Sequence, residues 1–128
     1  MTVAVLDTSA LLAMILGEPG GERVVDVLRE SAMTSVSYAE AATHFSRAGS
    51  NEDDIRFVLD IPVQWIDFDR ELAFDAAMLA PLTRQAGLSL GDRACLALAR
   101  RLQVKAITAD RVWAKIASAA GVDIELIR

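Results

Sequence analysis

The sequence predicts an α/β fold, a three-layer α/β/α sandwich around a mainly parallel sheet of four or five strands. Val3 to Leu6 is an uninterrupted apolar run, the pattern of a central strand covered on both faces. Helical segments separate the strand-like segments, as in right-handed crossovers between parallel strands. No linker or repeat divides the 128 residues, so we expect a single domain over residues 1–128.

Composition narrows the class of protein. Apolar residues make up 53% and charged residues 24% of the chain, which is typical of a globular domain. The longest apolar run, Ala10 to Leu16, is too short to span a bilayer, and no basic leader precedes the first strand. Cys95 is the only cysteine and is expected to be a buried thiol. We therefore expect a cytoplasmic protein without a membrane segment.

The formal net charge of −5 argues against a protein that coats nucleic acid, because such a protein needs a basic face. The basic residues are nevertheless concentrated near the C-terminus. They form either a local phosphate-facing patch or a set of solvated helix faces, and the sequence leaves both interpretations open. The six residues concerned are Arg93, Arg100, Arg101, Lys105, Arg111 and Lys115.

In the first half of the chain, glycine and proline stops, polar caps and apolar periodicity delimit the elements. In order, they predict a helix from about Ser9 to Gly17, a second from Pro19, a strand over residues 32–36, a third helix from Ser37 to Gly49 and a fourth capped by Asn51.

In the second half, polar and apolar residues alternate over residues 64–68, which predicts a strand near a sheet edge. Pro81 must kink or divide the following helix, because it removes a backbone donor. The remaining signals predict a cap at Asp69, a helix from Ser89 to Leu102, a strand from Lys105 to Thr108, a helix from Arg111 to Ala120 and an edge strand over residues 123–127.

Four acidic residues occupy equivalent places in this layout. Asp7 and Asp110 directly follow strands, whereas Glu40 and Asp92 are expected in the first turns of helices. Strand C-termini and the helix N-termini that follow them share one edge of a parallel sheet. We therefore expect the four carboxylates to face one cleft, with Asp92 depending on the direction of its helix.

Each acid also has a purely structural interpretation. Asp7 and Asp110 can cap helices, and the spacings Ser37–Glu40 and Ser89–Asp92 are those of a capping box. Taken together, however, four carboxylates in one cleft repel each other, and a hard divalent cation such as Mg²⁺ keeps them ionised. Such a site supports hydrolysis of a phosphodiester by an activated water.

The chain resembles the PIN-domain ribonucleases and, among them, the VapC-type toxins of bacterial toxin–antitoxin pairs. The resemblance rests on Leu-Asp-Thr-Ser-Ala-Leu-Leu at residues 6–12 and on Glu40 after Ser37. It continues with Leu-Ser-Leu-Gly-Asp-Arg-Ala-Cys-Leu-Ala-Leu-Ala at residues 88–99 and with Thr-Ala-Asp at 108–110 before Trp113.

This resemblance implies a PIN-like fold, Mg²⁺- or Mn²⁺-dependent cleavage of RNA, and a homodimer neutralised by a cognate antitoxin. It assigns metal binding and catalysis to the acids, and orientation of carboxylates or water to nearby hydroxyls. Arg93 follows Asp92 directly, so it is either a contact to a carboxylate or phosphate or an ordinary helix-face arginine. The implied acids are Asp7, Glu40, Asp92 and Asp110, and the implied hydroxyls are those of Thr8, Ser9 and Thr108.

Two further expectations follow from the residues. Thr8 and Ser9 are the better candidates to cap the first helix, which leaves Asp7 free to hold the metal. The early helices carry more apolar residues than one buried stripe needs, which predicts a groove for a partner's helix or a dimer interface. These residues are Leu11, Leu12, Ile15, Leu16, Ile55, Phe57, Val58 and Leu59.

Other functions remain to be weighed. A phosphatase with a strand-end aspartate nucleophile needs a second acid two residues later, where this chain has Ser9. A receiver domain needs a lysine at the end of a late strand, whereas Lys105 lies at the start of its predicted strand. The serious alternative is a non-catalytic module of the same fold, whose acids only cap helices.

Overall fold

The computed structural model describes residues 1–128 and contains one five-stranded sheet. The strands are β1 (Ala4–Leu6), β2 (Ser31–Thr34), β3 (Gln64–Ile66), β4 (Lys105–Thr108) and β5 (Ile124–Leu126). Their order is β3-β2-β1-β4-β5, and every neighbouring pair is parallel. The predicted α/β sandwich is confirmed, with a sheet that is wholly parallel and has β1 at its centre.

Eight α-helices connect and cover the strands. Pro81 lies in the first turn of a short helix, where its missing N–H is tolerated, so the long helix predicted there is divided as expected. None of the helices has the length and apolar character needed to cross a membrane. The helices are α1 (Thr8–Leu16), α2 (Gly21–Val27), α3 (Ser35–Arg47), α4 (Glu52–Leu59), α5 (Arg70–Met78), α6 (Ala80–Thr83), α7 (Leu90–Leu102) and α8 (Ala117–Ala120).

Two hydrophobic cores lie on opposite faces of the sheet. Val5 points into the core formed with α5 and α7, whereas its neighbours Ala4 and Leu6 point into the core formed with α1 to α4. Because successive side chains of a strand alternate between faces, a central strand with a core on each side must be apolar throughout. This explains the unbroken apolar run at the start of the chain.

The boundary between β2 and α3 differs from the prediction. The strand ends at Thr34 and the helix begins at Ser35, two residues before the predicted start at Ser37. The Thr34 hydroxyl accepts a hydrogen bond from the Ser37 backbone N–H (3.2 Å) and is therefore the cap. Glu40 consequently lies in the second turn, and the predicted Ser37–Glu40 capping box is wrong.

The predicted helix from Arg111 to Ala120 is also wrong as a single element. It consists of a 3₁₀ segment, Arg111–Lys115, followed by α8. Trp113 and Ile116 are both buried in the same core, and residues three apart lie directly above one another in a 3₁₀ helix, whereas in an α-helix they are offset around the axis. The need to bury both side chains favours the tighter helix.

Candidate active site

Asp7 lies at the carboxyl end of the central strand and is only 4% exposed. Its backbone N–H donates to the Ile107 carbonyl (2.9 Å), which extends the pairing of β1 with β4. Its carboxylate oxygen Oδ2 accepts hydrogen bonds from Ser9 Oγ (2.7 Å) and Thr108 Oγ1 (2.9 Å). Two hydroxyls from opposite ends of the chain thus hold this carboxylate in place.

The capping roles at α1 differ from the prediction. Asp7 itself occupies the N-cap position but makes no side-chain cap hydrogen bond, and Thr8 and Ser9 already lie in the first helical turn. The expectation that Thr8 or Ser9 caps this helix is therefore wrong. Both hydroxyls donate to carboxylates instead.

Ser9 and Thr108 also anchor the loop after β4. Their oxygens are 3.1 Å apart, Ser9 Oγ accepts from the Ala109 N–H (2.9 Å), and Thr108 Oγ1 accepts from the Asp110 N–H (3.0 Å). This network ties the position of Asp110 to that of Asp7.

The environment of Asp7 disfavours its charged form. Burial raises the pKa of Asp7 to about 6, the hydrogen bond from Ser9 lowers it in part, and the negative charge of Asp92 raises it further. None of the ion pairs of the molecule involves Asp7. Asp7 is thus a buried carboxylate that lies beside another acid and has no cationic partner.

Glu40 reaches the same edge from the second turn of α3. Thr8 Oγ1 donates to Glu40 Oε1 (2.7 Å). A Cβ atom placed on Gly91 would lie 2.5 Å from Glu40 Cδ, far inside van der Waals contact. The carboxylate therefore occupies the space that a side chain at position 91 would fill, directly against the first turn of α7.

Gly91 is a site residue whose role the sequence interpretation missed. It lies within α7 and its φ is not in the left-handed region, so the backbone does not require glycine there. Glycine at a helical position costs about 1 kcal/mol relative to alanine. A glycine that is disfavoured in its own helix was the available signal that something approaches closely at that point.

Asp92 combines a capping role with membership of the acidic group. The predicted capping box is confirmed: the Ser89 N–H donates to Asp92 Oδ2 (2.9 Å), and the Asp92 N–H donates to Ser89 Oγ (3.3 Å). From the sequence alone, the placement of Asp92 at the acidic edge depends on the direction of its helix. The structure places it close enough to Asp7 for its charge to raise the pKa of that carboxyl.

Asp110 stands somewhat apart from the other three acids. After burial itself, the charges of Asp7, Asp92 and Glu40 all raise the pKa of the buried Cys95 thiol. Asp110 is not among them, and its Oδ1 caps the 3₁₀ segment by accepting from the Val112 N–H (3.0 Å). Asp110 is exposed, whereas Asp7 is buried and Glu40 and Asp92 are partly buried.

The donor set fits a hard divalent cation in its chemistry. Glu40 Oε2, Asp92 Oδ1 and Asp110 Oδ2 accept no hydrogen bond from the protein, so each acid keeps an oxygen for another ligand. Carboxylate oxygens without imidazole or thiolate are the donors that Mg²⁺ and Mn²⁺ prefer. No three His, Cys, Asp or Glu side chains are already converged on a metal position.

Of the two interpretations left open for the six C-terminal cations, the single patch is not observed, because the six do not share one surface. Arg101 pairs with Asp75 (3.4 Å) and Lys105 with Glu125 (2.8 Å), because α7 carries its 13 residues about 20 Å away from the acidic edge. Arg93 makes no ion pair with a carboxylate, and its Nη1 donates to the Ala76 carbonyl (3.0 Å) on α5.

Comparison with solved structures shows the same fold in several proteins. A DNA-bound VapBC from Salmonella typhimurium is 18% identical, with 100% of both chains covered and a TM-score of 0.76. A toxin–antitoxin complex from Klebsiella pneumoniae is 18% identical, with 98% of each chain covered and a TM-score of 0.73. VapBC-5 from Mycobacterium tuberculosis is 24% identical, covering 98% of this chain and 99% of that chain, with a TM-score of 0.64.

The comparison of sequences agrees with the fold. No match was found among the curated proteins. The family model described as "PIN domain" matches residues 4–119, a span that contains β1, the four acids and the hydroxyls that hold them. The chain belongs to the PIN-domain family.

Proposed function

We propose that this protein is a Mg²⁺- or Mn²⁺-dependent endoribonuclease and the toxin of a toxin–antitoxin pair. The observation that carries the proposal is Asp7, a buried carboxylate with no cationic side chain as partner. The charge of Asp92 acts on it, and Glu40 packs against Gly91 of the helix that carries Asp92. Burial of an unpaired charge is unfavourable for folding. A bound cation would compensate for that charge and thereby stabilise the ionised form of the buried carboxylate.

The residues have distinct roles in this proposal. Asp7, Glu40, Asp92 and Asp110 would hold the cation, which when bound supplies an activated water and neutralises charge on the phosphate. Ser9 and Thr108 fix the orientation of Asp7, and Thr8 fixes that of Glu40. Asp110 is the most exposed of the four acids.

An antitoxin partner and a homodimer are part of the same proposal. Large apolar side chains on α1, α2 and α4 are exposed: Leu16 to 47%, Val25 to 60% and Phe57 to 82%. Apolar surfaces of this kind support docking of a partner's helix. One solved structure of the same fold is described as a toxin–antitoxin complex, and another as a member of the VapBC family of toxin–antitoxin systems. The RNA substrate would place the activity in the cytoplasm.

The test is cleavage of RNA by the full chain, purified free of any partner. We expect cleavage with Mg²⁺ or Mn²⁺ and none with EDTA, and we expect Asp7→Asn to abolish it. Asp53→Asn, which changes an exposed acid of α4, is the matched control and should cleave as the wild type does. Wild-type protein that cuts no RNA with either metal would overturn the proposal.

The second candidate is a non-catalytic binding module. The capping hydrogen bonds made by Asp92 and Asp110 favour it. Asp7 and Glu40 do not, because neither caps a helix. A module of this kind would bind its partner equally well with Asp7→Asn and would show no metal-dependent cleavage.

A further inference from the structure

Two cavities adjoin at Pro81 and Arg84: one lies between the segment that precedes α7 and the segment that follows Asp110, and the other between α6 and the start of α7. The larger has a volume of about 530 Å³ and the smaller of about 430 Å³. They share Pro81 and Arg84 and are therefore parts of one cleft. We refer to it as the α6–α8 cleft; besides those two residues its charged or polar lining is Gln85, Thr83, Arg93 and Lys115.

The charge of this cleft is of one sign. Arg84, Arg93 and Lys115 line it, and no acidic residue does. None of the three takes part in an ion pair, although four ion pairs exist elsewhere. In a protein with a formal net charge of −5, an acid-free cleft with three unpaired cations is a local reversal of the overall charge.

A cavity of similar size on α5 and α7 shows the contrast. It has a volume of about 450 Å³ and is lined by Arg100 and Arg101 together with Glu71 and Asp75. Its acids compensate its cations, so it offers no net attraction to an anion. Unpaired cations are therefore a property of the α6–α8 cleft and not of every concave surface on this side of the sheet.

The smaller cavity of the cleft adjoins the first turn of α7, because its lining residues Leu88 and Arg93 are the chain neighbours of Ser89 and Asp92. The 3₁₀ segment Arg84–Ala86 continues through Gly87 to Ser89, the cap that holds Asp92. The opposite wall begins in the 3₁₀ segment that Asp110 caps and carries Lys115 near its end. Each cavity of the cleft is therefore lined by a segment that one of the two acids Asp92 and Asp110 caps.

We propose that the α6–α8 cleft binds the phosphate backbone of the single-stranded RNA substrate beside the point of cleavage. This inference rests on the proposed function. Arg84 and Lys115 contact phosphates, and the apolar lining of Leu82, Ile116 and Ala119 accepts the ribose and base faces between them. Phosphate contacts of this kind give affinity without base specificity.

The test compares RNA binding by the full chain and by the double variant Arg84→Ala with Lys115→Ala. The probe is a short fluorescein-labelled single-stranded RNA in EDTA, titrated at several salt concentrations by fluorescence anisotropy. We expect weaker binding and a salt-dependence slope smaller by about 1.4, because each phosphate contact to a single strand contributes about 0.7. With Mg²⁺ or Mn²⁺ present, KM should rise while kcat is kept.

The control is Arg29→Ala with Arg100→Ala, which removes the same charge from exposed positions outside the cleft. It should leave the slope unchanged, and thermal unfolding should confirm that both double variants fold. If the cleft variant had the same salt-dependence slope as the wild type, or if the control lost as much RNA binding, the proposed role of the cleft would be wrong. RNA cleavage by the wild type would still support the proposed function. Wild-type protein that neither binds nor cleaves RNA overturns both proposals. Loss of antitoxin binding, with RNA binding intact, would make the cleft a protein contact and also overturn the inference.

Discussion

Two carboxylates of this protein lie in opposite electrostatic environments, and their pKa values are shifted in opposite directions. Glu125, on the edge strand β5, accepts hydrogen bonds from Arg23 (2.7 and 3.1 Å) and lies 2.8 Å from Lys105 Nζ. The hydrogen bond from Arg23 contributes most to a pKa of about 2 for Glu125. Asp7, on the central strand, has no cationic partner, and burial raises its pKa to about 6.

The comparison separates an acid whose charge stabilises the folded state from one whose charge destabilises it. The charge of Glu125 ties β5 to β4 and α2, so its ionised form favours the folded state. The charge of Asp7 is buried among hydroxyls and other acids, so its ionised form disfavours the folded state when no cation is bound. Stability therefore explains Glu125 but does not explain Asp7, for which a bound cation is the proposed compensation.

The largest stability effect is expected for Asp7→Asn. A pKa raised from 3.8 to about 6 corresponds to about 3 kcal/mol lost from the metal-free folded state at neutral pH. The loss is absent below pH 4, grows as the pH rises to 6 and is constant above that. We expect the Asn variant to exceed the wild type in free energy of unfolding by that amount at pH 7 in EDTA, measured by urea denaturation.

The pH dependence distinguishes this effect from a general gain in packing. The advantage of the variant should shrink toward zero at pH 4, while Asp53→Asn should show no comparable trend. A gain in the free energy of unfolding that does not change between pH 4 and pH 7 would show that it does not come from the buried charge of Asp7.

The next largest effect is expected for Gly91→Ala. The new methyl group would displace the Glu40 carboxylate, the far end of a flexible side chain, and leave the backbone in place. We expect Mn²⁺ affinity to fall about 10- to 100-fold, as for other residues that orient metal ligands, measured by calorimetry on the folded protein. RNA cleavage should fall with it.

A double-mutant comparison isolates the contact with Glu40. In a Glu40→Ala background, Gly91→Ala should stabilise the protein by about 1 kcal/mol, the ordinary helix preference of alanine. The shorter acid in Glu40→Asp should partly restore Mn²⁺ binding to Gly91→Ala. Equal effects of Gly91→Ala on stability and Mn²⁺ affinity with and without the Glu40 side chain would show that the two residues act independently.

The smallest effect is expected for Glu125→Gln. Exposed ion pairs contribute about 1 kcal/mol or less, so unfolding at pH 7 should be weakened by no more than that and less at high salt. The lowered pKa of Glu125 means that this contribution exists above about pH 4.5 and disappears as the pH falls toward 2. The stabilities of wild type and variant should therefore converge as the pH falls through 2, and a difference that does not diminish there would argue against the ion pair.

The sequence predicts best what depends on local pattern. The apolar run of β1, the glycine after α1 and the Ser89–Asp92 capping box each depend on neighbouring residues, and the structure has all three. The start of α3 was misplaced because Thr34, Ser35 and Ser37 can all cap a helix. The end of the sheet pairing at Thr34 with Ile66 decides between them.

Contacts between distant residues were not predictable in the same way. Ser9 meets Thr108 across 99 positions, and Gly91 makes room for Glu40 from a different helix. Neither contact leaves a periodic signal in one sequence. The six cations that are close in the sequence do not share one surface, because the 13 residues of α7 separate its two ends by about 20 Å.

Cys95 gives this protein an internal reporter. The thiol is fully buried, and its burial and the three nearby acids raise its pKa well above the usual value, so thiolate, the form that reacts with labelling reagents, is scarce in the native state. It is also the only thiol in the chain. The rate at which a disulfide reagent modifies it therefore measures how often the core beneath the acids opens, and a cation bound above it should slow that rate.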